Sequence, residues 1–279
     1  MRPQIFLLFM ALFANCSGQK GGIEDKKVET AALANCDSLY NQYGVEGCFA
    51  LYKLKSDSLF LFNGSRCEKG FLPASTFKIP NSLIALETGV LSSPADTIYW
   101  DGKKAWNDSW NQDHSLASAF RVSCVPCYQQ IARKVGGKRM RYWTKAAHYG
   151  KMDIRAKNID TFWLAGNSRI SPLQQIDFLK RLYREELPFK RENQQAVKQI
   201  MLLEEMPGYK LYGKTGWAQP DGRNIGWFVG WVETEQGVYI FANNVESPLL
   251  PDGQNKDFGR SRREIAEVIL TRELGRQPE

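Results

Sequence analysis

The sequence contains few of the residues and motifs that several common kinds of hydrolytic site require. It has only two histidines, His114 and His148, and a single C-x-x-C pair. A protein zinc site needs three or four clustered nitrogen, sulfur or oxygen ligands. The sequence also has no G-x-S-x-G segment, the turn that carries the nucleophile of α/β-hydrolases. We therefore predict neither a metal site nor an α/β-hydrolase.

Long apolar runs are also scarce. The main one is IFLLFMALFA, residues 5–14, which follows Arg2 and is too short to cross a bilayer. Its length and flanks are typical of a signal peptide covering residues 1–18. The segment LFANC, which ends at Cys16, also resembles a bacterial lipoprotein box, so a lipid anchor at Cys16 is an alternative. In both cases we expect residues 19–279 to be exported to the periplasm.

The composition suits one large domain or two closely packed ones. The 279 residues are 43% apolar, and the formal net charge is +7. A positive balance suits nucleic acid, an anionic membrane surface or a small anionic substrate. The most basic segment, residues 133–145, is interpreted as a solvated surface, so no nucleic-acid partner is predicted.

Six cysteines are present, and export permits disulfide bonds. If Cys16 is removed with the leader, the odd number left means that at least one thiol stays unpaired within the chain. Pairing cannot be assigned from sequence among Cys36, Cys48, Cys67, Cys124 and Cys127. The segment C-V-P-C resembles a redox motif, but no βαβ pattern surrounds it. We interpret its two cysteines as small apolar residues on one helix face.

Hydrophobic periodicity predicts strands at both ends of the chain and helices between them. The fold class is therefore α/β (α+β), with a central antiparallel sheet flanked by helices and an inserted all-helical part. The α/β part covers about 31–85 and 205–279, and the helical part about 86–204. Predicted strands lie at 48–54, 58–63, 209–215, 224–233 and 237–245, and predicted helices at 31–42, 75–90 and 259–274.

Residues 208–215 read GYKLYGKT and match the letters of a phosphate-binding P-loop. A P-loop opens a helix, because the phosphates bind at the helix N-terminus. Here Gly216, Pro220 and the Asp221-Gly222 pair follow, and none of them favours a helix start. We therefore predict no nucleotide ligand.

Ser75 and Lys78, in FLPASTFKIP, are three residues apart and share one face of a helix. A hydroxyl beside a buried amine is a nucleophile–base pair. The apolar neighbours Phe71, Leu72 and Phe77 would lower the pKa of the lysine and leave its amine uncharged. S-x-x-K is a weak signal by itself, since an ordinary N-cap serine also fits.

Two further motifs follow in order, Ser123-x-Val125 and Lys214-Thr215-Gly216. With these three motifs the chain resembles a class D (OXA-type) serine β-lactamase, in the penicillin-recognising superfamily that includes penicillin-binding proteins. The similarity runs from about Gly47 to the C-terminus. It also includes Trp100-Asp101-Gly102, Tyr149-Gly150, FWLAGNSRIS, YGKTGW and GWFVGWVE. Class A enzymes have Ser-Asp-Asn where this chain has Ser-Cys-Val.

The resemblance implies how the reaction would proceed. Ser75 would attack the lactam carbonyl, and Lys78, carrying a carbamate (N6-carboxylysine) formed from CO2, would be the general base for acylation and deacylation. Trp163 would donate a hydrogen bond to the carbamate, and Val125 and Leu164 would shield it from water. Apart from CO2 or bicarbonate, no cofactor is implied.

The resemblance also implies which residues hold the substrate. Ser123 would pass a proton to the leaving nitrogen, and the backbone N–H groups of Ser75 and Trp217 would bind the oxyanion. The strand Lys214-Thr215-Gly216 would line the site. An arginine would pair with the substrate carboxylate; the alignment favours Arg262, with Arg260 and Arg263 left open. The partner is a small β-lactam, and the protein is expected to be a monomer or a homodimer.

One position departs from the family pattern, and one alternative function stays open. Lys151 follows Tyr149-Gly150 where the family usually has asparagine. A penicillin-binding protein or a β-lactam sensor would share the nucleophile but release the acyl group slowly. The range of substrates would depend on the loops at 106–110 and 217–224.

Overall fold

A computed structural model describes residues 29–34, 36–250 and 257–275. Within these ranges the main sheet has seven strands in the order β1-β3-β2-β9-β8-β7-β6. They are β1 (Glu29–Ala32), β2 (Glu46–Lys53), β3 (Ser58–Phe62), β6 (Leu202–Met206), β7 (Tyr209–Ala218), β8 (Arg223–Thr234) and β9 (Gly237–Pro248). A small separate pair is formed by β4 (Thr97–Ile98) and β5 (His114–Ser115). The predicted signal peptide and Cys16 lie outside the described residues.

Most of the helices lie between β3 and β6 in the chain, whereas the first lies between β1 and β2 and the last follows β9. They are α1 (Asp37–Gln42), α2 (Gly64–Cys67), α3 (Lys78–Glu87), α4 (Leu116–Arg121), α5 (Val125–Val135), α6 (Gly137–Ala146), α7 (Pro172–Tyr183), α8 (Arg191–Ile200) and α9 (Phe258–Glu273). Short 3₁₀ turns cover Ala74–Phe77, Asp108–Trp110 and Ala156–Asn158. None of the helices in the described ranges combines the length and the apolar character that a membrane span requires.

The sheet separates two apolar cores, because side chains alternate between its faces. On β2, Cys48 and Ala50 face the core shared with α3, α5 and α7. Phe49 and Leu51 face the second core, which α1 and α9 cover. The predicted mixed fold with a sheet flanked by helices is therefore confirmed.

The N-terminal edge of the sheet differs from the sequence prediction. Residues 31–42 do not form one helix; β1 is followed by α1. β1 also runs parallel to β3, whereas the other pairs of this sheet are antiparallel. The alanines of this segment have high helix propensity, but pairing with the edge of β3 satisfies the backbone instead. This pairing continues past the strand, where Leu33 N–H donates to the Leu61 carbonyl at 2.8 Å.

The predicted helix at 75–90 is divided in two. A 3₁₀ turn, Ala74–Phe77, comes first, and α3 begins only at Lys78. Pro80 lies in the first turn of α3, where its missing N–H removes no obligatory helical bond. Because Pro80 has no N–H, it cannot make an α-helical hydrogen bond to the Thr76 carbonyl. Residues Ala74–Phe77 form a 3₁₀ turn instead. Ser75 lies inside that turn, and its side chain faces a cavity.

Candidate active site

Ser75 and Lys78 form the centre of the site. Lys78 Nζ lies 3.0 Å from Ser75 Oγ, and the lysine is 1% exposed. Burial, and next the charge of nearby Lys214, hold the pKa of Lys78 well below its usual value. A lysine that is uncharged near neutral pH can accept the hydroxyl proton of a neighbouring serine.

Two further buried residues, Tyr128 and Ser82, pack around Lys78. The Tyr128 ring centre lies 5.0 Å from Lys78 Nζ. Ser82 Oγ donates to the Lys78 backbone carbonyl at 2.8 Å and lies 2.8 Å from the Tyr128 hydroxyl. These side chains are buried, so the lysine has little freedom to leave the serine.

Trp163 lies in the core beside the nucleophile turn. Its ring stacks on Phe77 with centroids 5.5 Å apart, and its backbone carbonyl accepts from Ala74 N–H at 2.9 Å. The buried indole Nε1 of Trp163 has no hydrogen-bond partner within the described part of the chain. An unsatisfied buried donor costs roughly 1–3 kcal/mol. An acceptor placed beside this nitrogen would therefore remove that cost.

Strand β7 packs closely against the nucleophile turn at Gly216. A Cβ at this position would lie 3.3 Å from Pro73 O, Ala74 Cβ and Ser75 N. Two of these are backbone atoms that cannot rotate away. Any larger residue would force the turn or the strand to shift by a few tenths of an ångström, so glycine allows the strand to approach the Ser75 backbone this closely.

Lys214 lies on the same strand and is also buried. Its Nζ donates to the Thr215 carbonyl at 3.2 Å. Burial, together with the charge of Arg262, lowers the pKa of Lys214 to about 7. The amine therefore changes its charge near neutral pH.

Arg262, on α9, reaches the other side of β7. Its Nη1 donates to the Gly216 carbonyl at 3.0 Å, and its Nε donates to the Gly259 carbonyl at 2.9 Å. Burial lowers the pKa of Arg262 to about 10, which still leaves the guanidinium charged at neutral pH. Gly226 leaves room for this side chain, since a Cβ there would lie 2.6 Å from Arg262 Cγ.

The two neighbouring arginines are engaged elsewhere. Arg260 pairs with Asp257 and Glu264. Arg263 pairs with Glu204 and Glu267 and lines a second cavity. Of the three arginines left open by the sequence, Arg262 is the one that shares a cavity with Ser75.

This cavity has a volume of about 620 Å³ and brings the predicted residues together. It is lined by Ser75, Trp106, Asn107, Trp110, Val122, Ser123, Val125, Leu164, Thr215, Gly216, Trp217, Ala218, Gln219 and Arg262. Lys78, Trp163 and Lys214 are not among the lining residues; they are buried nearby.

The loops at 106–110 and 217–224, on which the range of substrates is predicted to depend, form part of the cavity wall. Asn224 was not singled out; it accepts from Trp217 Nε1 at 3.0 Å and so orients that wall.

The segment Tyr149-Gly150-Lys151 lies outside the cavity. The buried Tyr149 hydroxyl lies 3.2 Å from Thr76 Oγ1, which also accepts from Gln175 Nε2 at 2.9 Å. Because Thr76 belongs to the turn that carries Ser75, this polar network helps to fix that turn. No sequence signal pointed to it, because Gln175 lies 99 positions from Thr76. Lys151 is exposed, and its backbone N–H donates to the Arg169 carbonyl at 2.8 Å.

The interpretation of C-V-P-C as two unlinked apolar cysteines is wrong. Cys124 and Cys127 form a disulfide at the N-terminus of α5. The helix brings residues three apart onto one face, and these Cα atoms lie 5.4 Å apart, within the range a disulfide can bridge. Cys36, Cys48 and Cys67 are free and buried.

Comparisons with known proteins agree with this geometry. Residues 27–271 match the family "Penicillin binding protein transpeptidase domain". The chain is 42% identical to β-lactamase OXA-48 of Klebsiella pneumoniae over 209 residues, which are 75% of this chain and 78% of that one. The crystal structure of the class D β-lactamase YbXI from Nostoc superposes with a TM-score of 0.82 and 42% identity, over 87% of this chain and 99% of that one. The regulatory protein BlaR1 of Bacillus licheniformis is 34% identical over 84% of this chain and 38% of that protein.

Proposed function

Because the chain belongs to the class D β-lactamases, we propose that it hydrolyses the amide bond of penicillin-type antibiotics and so confers resistance to them. The observation that carries the proposal is the 3.0 Å distance between Ser75 Oγ and the buried Lys78 Nζ, beside a cavity that Arg262 also lines. A serine nucleophile, a base beside it and a fixed cation for the substrate carboxylate are the groups that this reaction needs.

In acylation, Ser75 Oγ attacks the lactam carbonyl while its proton passes to the base at Lys78. The lactam C–N bond then breaks, and the leaving nitrogen takes up a proton through Ser123, which lines the same cavity. The backbone N–H groups of Ser75 and Trp217 hold the oxyanion. The close approach of β7 at Gly216 supports a joint role for these two N–H groups, because it brings the strand next to Ser75 N.

Water must then release the acyl group, and this step requires a base that remains in place after acylation. We propose that Lys78 holds a carbamate formed from CO2, which would supply a carboxylate able to accept protons in both steps. Three features of the residues present fit this group. Burial holds the pKa of the Lys78 amine well below its usual value, which favours the uncharged form that adds CO2. The Trp163 indole is a buried donor with no partner among the described residues. Val125 and Leu164 line the cavity with apolar side chains.

Substrate binding relies on the positive end of the cavity. Arg262 is fixed by two backbone carbonyls and packs against the Trp217 ring, whose centre lies 5.2 Å away. A guanidinium held in this way meets an incoming carboxylate with little loss of side-chain entropy. Thr215 lies beside it on the cavity wall and offers a hydroxyl to the same carboxylate.

One alternative is favoured by a specific observation. The match to a regulatory protein means that a related domain serves a role other than the one named for the β-lactamases. A regulatory domain would be acylated at Ser75 and would release the product slowly. Turnover of a chromogenic cephalosporin by purified 19–279 in bicarbonate buffer separates the two, with Ser75→Ala as the inactive control.

We infer that the protein is exported, with residues 1–18 as its leader and Cys16 as an alternative site of lipid attachment. Incorporation of labelled palmitate into the full chain, and its loss in Cys16→Ser, would establish the anchor. Label that is absent from both proteins, with the protein found free in the periplasm, would support cleavage after Gly18 instead.

A further inference from the structure

The Cys124–Cys127 disulfide lies between two residues of the proposed active site. Ser123 and Val125 flank Cys124 in the chain and both line the substrate cavity. Cys124 itself is fully buried and caps α5, since its Sγ accepts from Cys127 N–H at 3.2 Å. The disulfide therefore closes the turn from which both residues reach the substrate.

The turn holds Ser123 in a backbone conformation that needs support. Its φ is 55°, in the left-handed region that residues other than glycine disfavour. The local hydrogen bonds are Ser123 N–H to the Phe120 carbonyl at 3.2 Å and Cys124 N–H to the Ala119 carbonyl at 2.9 Å. The covalent link adds a constraint on the C-terminal side of Ser123.

The same sulfur atoms lie next to a second wall of the cavity. A ring nitrogen of His114 and the two Sγ atoms lie within 4.8 Å of one another. The two nitrogens of this ring hydrogen-bond to Ser109 O at 2.8 Å and Ser118 Oγ at 3.0 Å. Trp110, which lines the cavity, donates from Nε1 to the Val122 carbonyl at 3.0 Å. Because the sulfurs are bonded to each other, they offer no thiolate to a metal, and the cluster is better described as a disulfide packed against an imidazole.

Reduction of the Cys124–Cys127 bond would push the two sulfur atoms apart and so displace residues that line the cavity. Two thiols cannot remain at bonding distance, and protein interiors are packed without space for such a separation. Cys124 is fully enclosed and Cys127 nearly so. The displacement would therefore pass to the neighbours of Cys124 in the chain, Ser123 and Val125.

We propose that the Cys124–Cys127 disulfide is a positioning element of the active site, and that the protein acylates at its full rate only after this bond has formed. The inference rests on the proposed function, because the groups it positions are those of the acylation step. To form the bond, the two thiols lose two protons and pass two electrons to an oxidant of the disulfide class, such as oxidised glutathione. Full activity is thereby linked to an oxidising compartment.

The first test compares the wild type with a double variant, Cys124→Ala with Cys127→Ala. The matched control is Cys36→Ala, which removes a buried free thiol from the core on the opposite face of the sheet. Alkylation of denatured, unreduced wild-type 19–279 should label Cys36, Cys48 and Cys67 only. The acylation rate constant is measured with a fluorescent penicillin, well below the unfolding temperature of each protein. We expect the double variant to acylate about tenfold more slowly or worse, since small misplacements of catalytic groups are costly, and Cys36→Ala to match the wild type.

The second test asks whether the disulfide acts through Ser123. Ser123→Ala should slow acylation by roughly 10²-fold in the wild type but by only about tenfold in a double variant that is already about tenfold slow, since the effects of coupled residues are not additive. Additive losses would show that the disulfide stabilises the fold in general and would overturn the proposal.

A third measurement covers the case in which the double variant does not fold. Wild-type protein purified in reduced form should acylate slowly and recover its rate when oxidised glutathione is added. Equal rates before and after oxidation would overturn the proposal while leaving the β-lactamase function intact. A failure of the oxidised wild type to acylate at all would overturn both.

Discussion

Arg262 Nη1 donates to the Gly216 carbonyl at 3.0 Å, and this hydrogen bond ties the C-terminal helix to the strand that packs on Ser75. The Arg262 guanidinium is thus held by the strand whose residues Thr215, Gly216 and Trp217 line the cavity. The proposed nucleophile and the proposed cation of the site lie at the two sides of one strand, which fixes their separation.

Replacement of Arg262 should therefore weaken substrate binding selectively. We expect Arg262→Ala to lower kcat/KM for penicillins by roughly 10- to 100-fold, mainly through KM, because a charge-assisted hydrogen bond is worth about 1.5–3 kcal/mol. Steady-state kinetics measure the effect. Arg260→Ala is the matched control and should behave as the wild type, since Arg260 pairs with Asp257 and Glu264. Equal losses in both variants would argue against a direct role for Arg262.

Gly216→Ala should impair the nucleophile turn. The added Cβ would lie 3.3 Å from Ser75 N and Pro73 O, so the turn or the strand must shift. We expect acylation to slow by about tenfold or more and stability to fall by roughly 1–3 kcal/mol. Gly64→Ala is the control, because the nearest atom to its added Cβ is Leu61 Cδ1 at an ordinary 3.5 Å. A wild-type acylation rate in Gly216→Ala would contradict the close approach of β7 to Ser75 N.

Lys78→Met should abolish turnover while stabilising the protein. Loss of the base is expected to slow catalysis by roughly 10²- to 10⁴-fold. In buffer free of CO2, removal of a buried amine should raise the free energy of unfolding by about 1–3 kcal/mol near neutral pH. The exposed Lys157→Ala is the control and should change neither quantity.

The pH dependence of that stabilisation follows from the lowered pKa of Lys78. Between its folded pKa and its ordinary unfolded value of about 10.4, the unfolded chain binds a proton that the folded protein does not. The free energy of unfolding of the wild type therefore rises with pH across that window, as the destabilising effect of Lys78 fades. The advantage of Lys78→Met should shrink as the pH approaches 10. An advantage that stays constant with pH would show that Lys78 titrates normally.

Activity should depend on dissolved CO2 if Lys78 carries a carbamate. Depletion of CO2 in mildly acidic buffer should reduce the rate of hydrolysis, and added bicarbonate should restore it. Chloride at equal ionic strength is the control, because it tests for a general salt effect. Indifference of the depleted sample to bicarbonate would remove the carbamate from the mechanism.

Features set by residues close together in the chain could be predicted from the sequence. Ser75 and Lys78 share one turn, and the hairpins of β7, β8 and β9 follow directly from alternating residues and short connections. Features that depend on distant pairing were missed or left open. The β1 segment looked helical until β3 supplied an edge for it. The choice among three nearby arginines required their surroundings in space, since Glu204 on β6 engages Arg263 while Arg262 reaches the Gly216 carbonyl on β7.

The disulfide illustrates a different limit. C-V-P-C satisfies the spacing of both a disulfide and a pair of small core residues, and both interpretations bury the cysteines. What separates them is the backbone at Ser123 and the start of α5 at Val125, which bring the two Cα atoms within 5.4 Å. The pattern of apolar residues carries no information about this local geometry.

The most direct measurement is the hydrolysis of a chromogenic cephalosporin by purified 19–279 in bicarbonate buffer, followed well past one equivalent of product. Many turnovers per enzyme, lost in Ser75→Ala, are the result expected of a β-lactamase whose base remains in place after acylation. A burst that stops near one equivalent would contradict this account, because it would mean that Ser75 is acylated but that water cannot release the product.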